Sequence, residues 1–221
     1  MTPVGGYGAS GSRSSGVTGW QAETIPVKRQ VVNPEYRRGS LLSLRAGLDA
    51  VARAGDDDLV IMDGDVLYDP SILADLVRLR RGFAIDPRTD PGDEEMMVGV
   101  KGGQVRAIRR GKLPGFDLVG EGVGFFKIDR ASLPALRQAV SQSDPDSDYE
   151  KALDRFVSEH GADYVLVGGR PWTEIDFPKD LERAQKEILP RLAQARPAPR
   201  GGARPGPAPG QARRDRPGTP S

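Results

Sequence analysis

"LVIMDGDVLYDP", residues 59–70, decides how this chain is read. Four apolar residues run into Asp63-Gly64-Asp65, and Val66-Leu67 turn apolar again at once. A surface turn accounts for the glycine but not for two carboxylates wedged between hydrophobic runs. A short continuous apolar run behind Asp56-Asp57-Asp58 fits a buried strand of a parallel sheet. In such sheets ligands gather beyond the carboxyl ends of the strands, where Asp63 and Asp65 fall. Two hard carboxylates without histidine or cysteine beside them suit Mg²⁺ or Mn²⁺. The plainer alternative is an acidic loop that caps the next helix. Asp69-Pro70 already supplies that cap, with proline at the first helical position.

Working outward, VKRQVV (27–32) reads as a strand, and Ser40 opens a helix with Leu41, Leu44, Leu48 and Val51 at helical spacing. A helix is expected over 71–81, a strand at 83–86, and a hairpin over 96–110 turning at Gly102-Gly103. Then come a strand at 122–128, a helix from Asp129 to near Gln142, and a helix stopped by Gly161 after the single histidine, His160. A strand at 163–169 and an amphipathic helix over 178–194 complete the order. Alternating strands and helices predict an α/β fold: three layers, a mainly parallel sheet with helices on both faces, and an antiparallel hairpin insertion.

Composition sets limits. With no cysteine and one histidine in 221 residues, thiolate chemistry, disulfides and multi-histidine metal sites are excluded. No apolar run approaches the roughly 20 residues that span a bilayer, and no signal-peptide layout opens the chain; a cytoplasmic protein is expected. Residues 196–221 hold seven prolines, five glycines and six arginines against one aspartate, so this tail should be disordered and residues 1–195 form the domain. The remainder is mildly acidic, which argues against nucleic acid as a partner. GYGASG (6–11) matches G-x-G-x-x-G, but lacks the full strand before it and the periodic helix after it.

A second acidic pair stands in "RPWTEIDFPKD", where Glu174 and Asp176 alternate across Ile175 and share one face of an extended segment. Asp180, just inside the next helix, reads as structural. No protein nucleophile is evident. A reaction that needs none fits: attack by a phosphate on a nucleotide α-phosphate, with a metal absorbing charge.

Taken in order, Asn33-Pro34-Glu35-Tyr36, Ser43-Leu44, Gly64-Asp65, Gly120-Glu121 with Gly124-Phe125, Tyr149-Glu150, Trp172, Glu174-Ile175-Asp176 and Asp180 resemble the nucleotidyltransferases of the phosphocholine and aminoalkylphosphonate cytidylyltransferase type. The resemblance runs from about residue 3 to residue 190. It implies Mg²⁺-dependent nucleotidyl transfer from a nucleoside triphosphate, CTP first among them, to a phosphorylated alcohol, aminoalcohol or sugar, releasing pyrophosphate. It further implies that Asp65, Glu174 and Asp176 hold the metal, that Asn33, Ser40 and Ser43 lie near the nucleotide, and that Lys112 meets phosphate. Glu121, Tyr149, Glu150 and Trp172 would line the acceptor pocket, the last ring and Tyr149 facing a quaternary ammonium. The family opens with a strand and a glycine-rich loop ending in arginine, which here is expected to be missing; GASGSR (8–13) has its composition but not its place. That absence would expose the sheet beside residues 60–62 and weaken nucleotide binding. Two other readings stand beside this one: a glycosyltransferase using Asp63-Gly64-Asp65 as a D-x-D, and an inactive binding module.

Overall fold

The computed structural model describes residues 5–6, 30–54, 57–89 and 95–195; most of the GYGASG stretch, GASGSR and the tail at 196–221 lie outside them. Strands are β1 (Gly5–Gly6), β2 (Gln30–Val31), β3 (Leu59–Met62), β4 (Val66–Tyr68), β5 (Gly82–Asp86), β6 (Met96–Lys101), β7 (Gln104–Arg110), β8 (Leu118–Ile128), β9 (Asp163–Leu166) and β10 (Trp172–Glu174). Helices are α1 (Ser40–Ala54), α2 (Pro70–Leu76), α3 (Leu133–Ser141), α4 (Glu150–His160), α5 (Pro178–Arg183) and α6 (Leu189–Ala195). None is long and apolar enough to cross a membrane.

The main sheet runs β7-β6-β8-β5-β9, with β3 also paired to β8. It is mixed rather than mainly parallel. Within it β5 and β9 run parallel, whereas β8 is antiparallel to β3, β5 and β6. Strand direction leaves no trace in hydrophobic periodicity, which is why the sequence alone did not show this. Nor is β3 the buried parallel strand expected: Met62 is 37% exposed and its neighbours are half-buried.

β8 organises the sheet. On one edge its residues 118–121 take β6 and its residues 125–128 take β3, end to end. On the other edge β5 pairs across a register shift, Phe83 opposite Phe126 but Ile85 opposite Gly122. Val123 to Phe125 thus bulge, and Gly124 at φ 72° supplies the turn that a residue with a Cβ would resist.

Each face of the sheet is covered. On one, α1, α3 and α4 bury Leu41, Leu48, Leu136, Phe156 and Val157 against Phe83, Ile85 and Phe126. On the other, Ile72 and Leu76 of α2 pack with Ala84, Phe125, Val167 and Trp172. Asp69 caps α2 as expected, accepting from the Ser71 amide at 2.9 Å. The helix ends at Leu76 rather than running to residue 81, tightening into i→i+3 bonds from Arg78 to Asp75 and Leu79 to Leu76. That early stop lets the Arg81 carbonyl accept from Asp163 as the chain enters β5. Between α5 and α6, residues 184–188 widen into a π-turn ahead of Pro190, which has no N–H to continue the regular ladder. Gly102 and Gly103, at φ 59° and 74°, turn the β6–β7 hairpin as expected.

A small antiparallel ribbon stands apart from the main sheet: Val66, Leu67 and Tyr68 of β4 oppose Glu174, Thr173 and Trp172 of β10. One buried bond ties it to β5, from Trp172 Nε1 to Asp86 Oδ2 at 2.8 Å. Arg88 grips the same carboxylate through Nε at 2.9 Å and Nη2 at 2.7 Å. Burial alone would raise the Asp86 carboxyl, but the bonds from Arg88 and Trp172 outweigh it and hold the group at about 2 instead of 3.8. A depression of that size stabilises the fold by about 2 kcal/mol. Because the folded value is lowered, this contribution is complete above about pH 4 and is lost as pH falls toward 2. Asp86→Asn should therefore cost about 2 kcal/mol in urea unfolding at pH 7 and much less near pH 2.5. An equal cost at both pH values would contradict the account.

Candidate active site

Asp65 and Glu174 lie 109 positions apart in the chain, and backbone pairing makes them neighbours. Val66 stands opposite Glu174 in the ribbon, and one step further the Ile175 amide donates to the Asp65 carbonyl at 3.0 Å. Asp176 follows in extended chain, returning to the face of Glu174. Carboxylate oxygens of Asp65, Glu174 and Asp176 all lie within 4.8 Å of one another, at a solvent-open position. The structure thus brings together the three acids singled out in the sequence.

Asp63 takes a different direction. Its side chain turns inward and accepts a hydrogen bond from the Tyr149 hydroxyl at 2.8 Å. Its amide donates to the Gly124 carbonyl at 3.0 Å, and a Cβ on Gly124 would sit 2.6 Å from Asp63 Oδ2. The glycine of Gly124-Phe125 therefore serves the bulge and leaves room for this carboxylate.

Five carboxyls in and around this group are pushed upward. Desolvation, then the charges of Asp176, Asp65 and Asp63, raise Glu174 to about 8. Desolvation raises Asp63 to about 6 against the Tyr149 bond, and raises Glu150 to about 7. Asp176 and Glu121 shift the same way, again through desolvation first and neighbouring acids next. One oxygen of Glu150 is buried without a hydrogen-bond partner among the described residues. Burial raises the Tyr149 phenol well above its ordinary value, so it stays a donor. A cluster with this much uncompensated acid suits a divalent cation, and hard oxygen donors without nitrogen or sulfur fit Mg²⁺.

The remaining residues named from sequence are spread over several elements. Asn33 Nδ2 donates to Ser43 Oγ at 3.0 Å, and Ser40 Oγ accepts from the Tyr149 amide at 2.9 Å. Ser40 thus ties α1 to the start of α4, and Ser43 ties it to the segment after β2. Glu121 stands in β8 between Met97 and Asp86. Trp172 does not join Tyr149 in an aromatic cage. Its ring packs into the cluster around α2, and its N–H is taken by Asp86, whereas Tyr149 packs against the cluster on the other face. Lys112 is exposed beyond β7. The cation whose field reaches Asp176 and Glu150 is Arg110, at the end of β7 and 3.7 Å from Asp148. Sequence reasoning passed over Arg110, Asp86 and the inward turn of Asp63. Arg109-Arg110 close the expected hairpin, and Tyr149 and Trp172, the partners of the two aspartates, each lie 86 positions away.

No protein-family model matches the chain. Its sequence is 32% identical over 203 residues to the bifunctional IPC transferase and DIPP synthase of Rubrobacter xylanophilus, a match covering 86% of this chain. The chain spans 42% of the length of that curated relative. Among solved structures, the inositol-1-phosphate CTP transferase from T. maritima superposes with a TM-score of 0.56 at 17% identity, over 76% of this chain and 68% of that one. At such low identity the structural match speaks for the fold. The chain is homologous to part of that bifunctional IPC transferase and DIPP synthase, and it shares the fold of the inositol-1-phosphate CTP transferase.

Proposed function

We propose that this protein transfers a cytidylyl group from CTP to an inositol phosphate, with Mg²⁺ and with release of pyrophosphate. The observation that carries the reading is the meeting of Asp65, Glu174 and Asp176 within 4.8 Å at the end of the β4–β10 ribbon. The homologous IPC transferase and the fold of an inositol-1-phosphate CTP transferase supply the nucleotide and the acceptor.

The reaction balances without a protein nucleophile. An acceptor phosphate oxygen bonds to the α-phosphorus of CTP while the bond from that phosphorus to the leaving pyrophosphate breaks. Asp65, Glu174 and Asp176 would hold the cation, which supplies electrostatic relief of charge on the phosphates. Arg110 places a positive charge near Asp176 and offers an anchor for an anionic group. Glu121 is an acceptor suited to a hydroxyl-rich ligand, and Trp172, buried with its N–H on Asp86, does not pair with Tyr149 to hold a quaternary ammonium. The inward turn of Asp63 also speaks against the D-x-D reading, since one carboxylate of that pair faces Tyr149 rather than the cluster.

Asp65→Asn and Asp176→Asn should each lower Mg²⁺-dependent pyrophosphate release by about 10²-fold or more, with unfolding midpoints close to the parent. Rates retained within a few-fold would remove the metal assignment. Inositol 1-phosphate should be used in clear preference to phosphocholine in the same assay. The reverse preference would reject the polyol reading and leave the metal site standing.

A further inference from the structure

We propose that Tyr149 is a positioning residue for the carboxylate cleft: it holds the Asp63–Asp65 turn in the place that delivers Asp65 to Glu174 and Asp176. The proposal rests on the reading of that cleft as a metal site. Tyr149 is itself fixed at several points. Its amide donates to Ser40 Oγ at 2.9 Å, its carbonyl accepts from Ala152 and Leu153, and its ring packs against the main apolar cluster. The segment before it is equally constrained. The Leu41 amide donates to the Ser147 carbonyl at 3.2 Å, and Gly39 comes so close that a Cβ there would lie 2.4 Å from that oxygen. The start of α1 and the start of α4 therefore form one braced unit, and the Tyr149 hydroxyl is the group it extends to the turn.

The turn has little to hold it otherwise. Gly64 is exposed, and among the described residues nothing lies within 4 Å of where its Cβ would be. Its position is set at its two ends. At one end the Asp63 side chain sits between Gly124 and the Tyr149 hydroxyl, and its amide donates to the Gly124 carbonyl. At the other, the Asp65 carbonyl accepts from Ile175. Without the phenolic O–H, the Asp63 carboxylate loses its inward partner and is drawn to water. The turn follows it, and Asp65 leaves the other two acids. Partners behind metal ligands commonly contribute 10–100-fold in metal affinity through such orientation.

The test uses Mn²⁺ alone, titrated into the full chain and followed by electron paramagnetic resonance of the free ion. Tyr149→Phe, which keeps the packed ring, should weaken Mn²⁺ binding by about ten-fold with an unchanged urea midpoint. Amide hydrogen exchange at residues 63–66 should quicken in the same variant without the metal. Asp63→Ala should reproduce the loss, and the double variant should be no worse than either single one. Three results would each overturn the proposal: parental Mn²⁺ affinity in Tyr149→Phe, multiplication of the two losses in the double variant, or an effect confined to the acceptor KM. Unchanged Mn²⁺ binding in Asp65→Asn would overturn the metal reading itself, and this proposal with it.

Discussion

The short ladder between β4 and β10 is the constraint on which the rest depends. Three carboxylates at the separation seen here repel by about 1–3 kcal/mol per charged pair, between the limits of water and of a protein surface. Nothing in their own chemistry would gather them. Backbone hydrogen bonds do so: the register that sets Val66 against Glu174 also sets the Asp65 carbonyl against the Ile175 amide. The ribbon has only three residue pairs, so it needs an anchor. Trp172 provides it, filling the apolar cluster under α2 and bonding to Asp86 at the end of β5.

The longest strand supplies the second half of the frame. β8 exchanges β6 for β3 along one edge, and its bulge at Gly124 falls where that exchange occurs. A flat strand would carry a side chain at that position. Here a glycine at positive φ opens space for Asp63, and the turn to Asp65 begins from there. The carboxyl cluster, the bulge and the braced starts of α1 and α4 are thus parts of one construction. Each upward shift marks a group that is less comfortable as an anion than in water, so gathering this much acid does not serve stability. Shifts of that kind cluster at functional sites.

Much of this was legible in residues 59–70 and 172–176. Asp69-Pro70 announced α2, Gly102-Gly103 announced the hairpin, and the spacing of Glu174 and Asp176 across Ile175 put both on one face. These features depend on neighbours within a few positions, which a sequence displays. Strand direction does not, and the mixed sheet was read as mainly parallel for that reason. The end of α2 at Leu76 was hidden too, because it answers to a backbone bond from Asp163. Trp172 looked like a ligand-facing aromatic, since an exposed ring and a packed one have the same letter; its partner Asp86 is equally distant in sequence. Asp63 and Asp65 look equivalent on either side of Gly64. Only the third dimension separates the one that serves Tyr149 from the one that joins the cluster.

Anomalous diffraction from a crystal grown with Mn²⁺ and CTP tests the central claim most directly. The account predicts an anomalous peak bonded to oxygens of Asp65, Glu174 and Asp176 and to a phosphate of the nucleotide, with Asp63 still turned to Tyr149. A bound nucleotide whose metal lies away from those three carboxylates would contradict it.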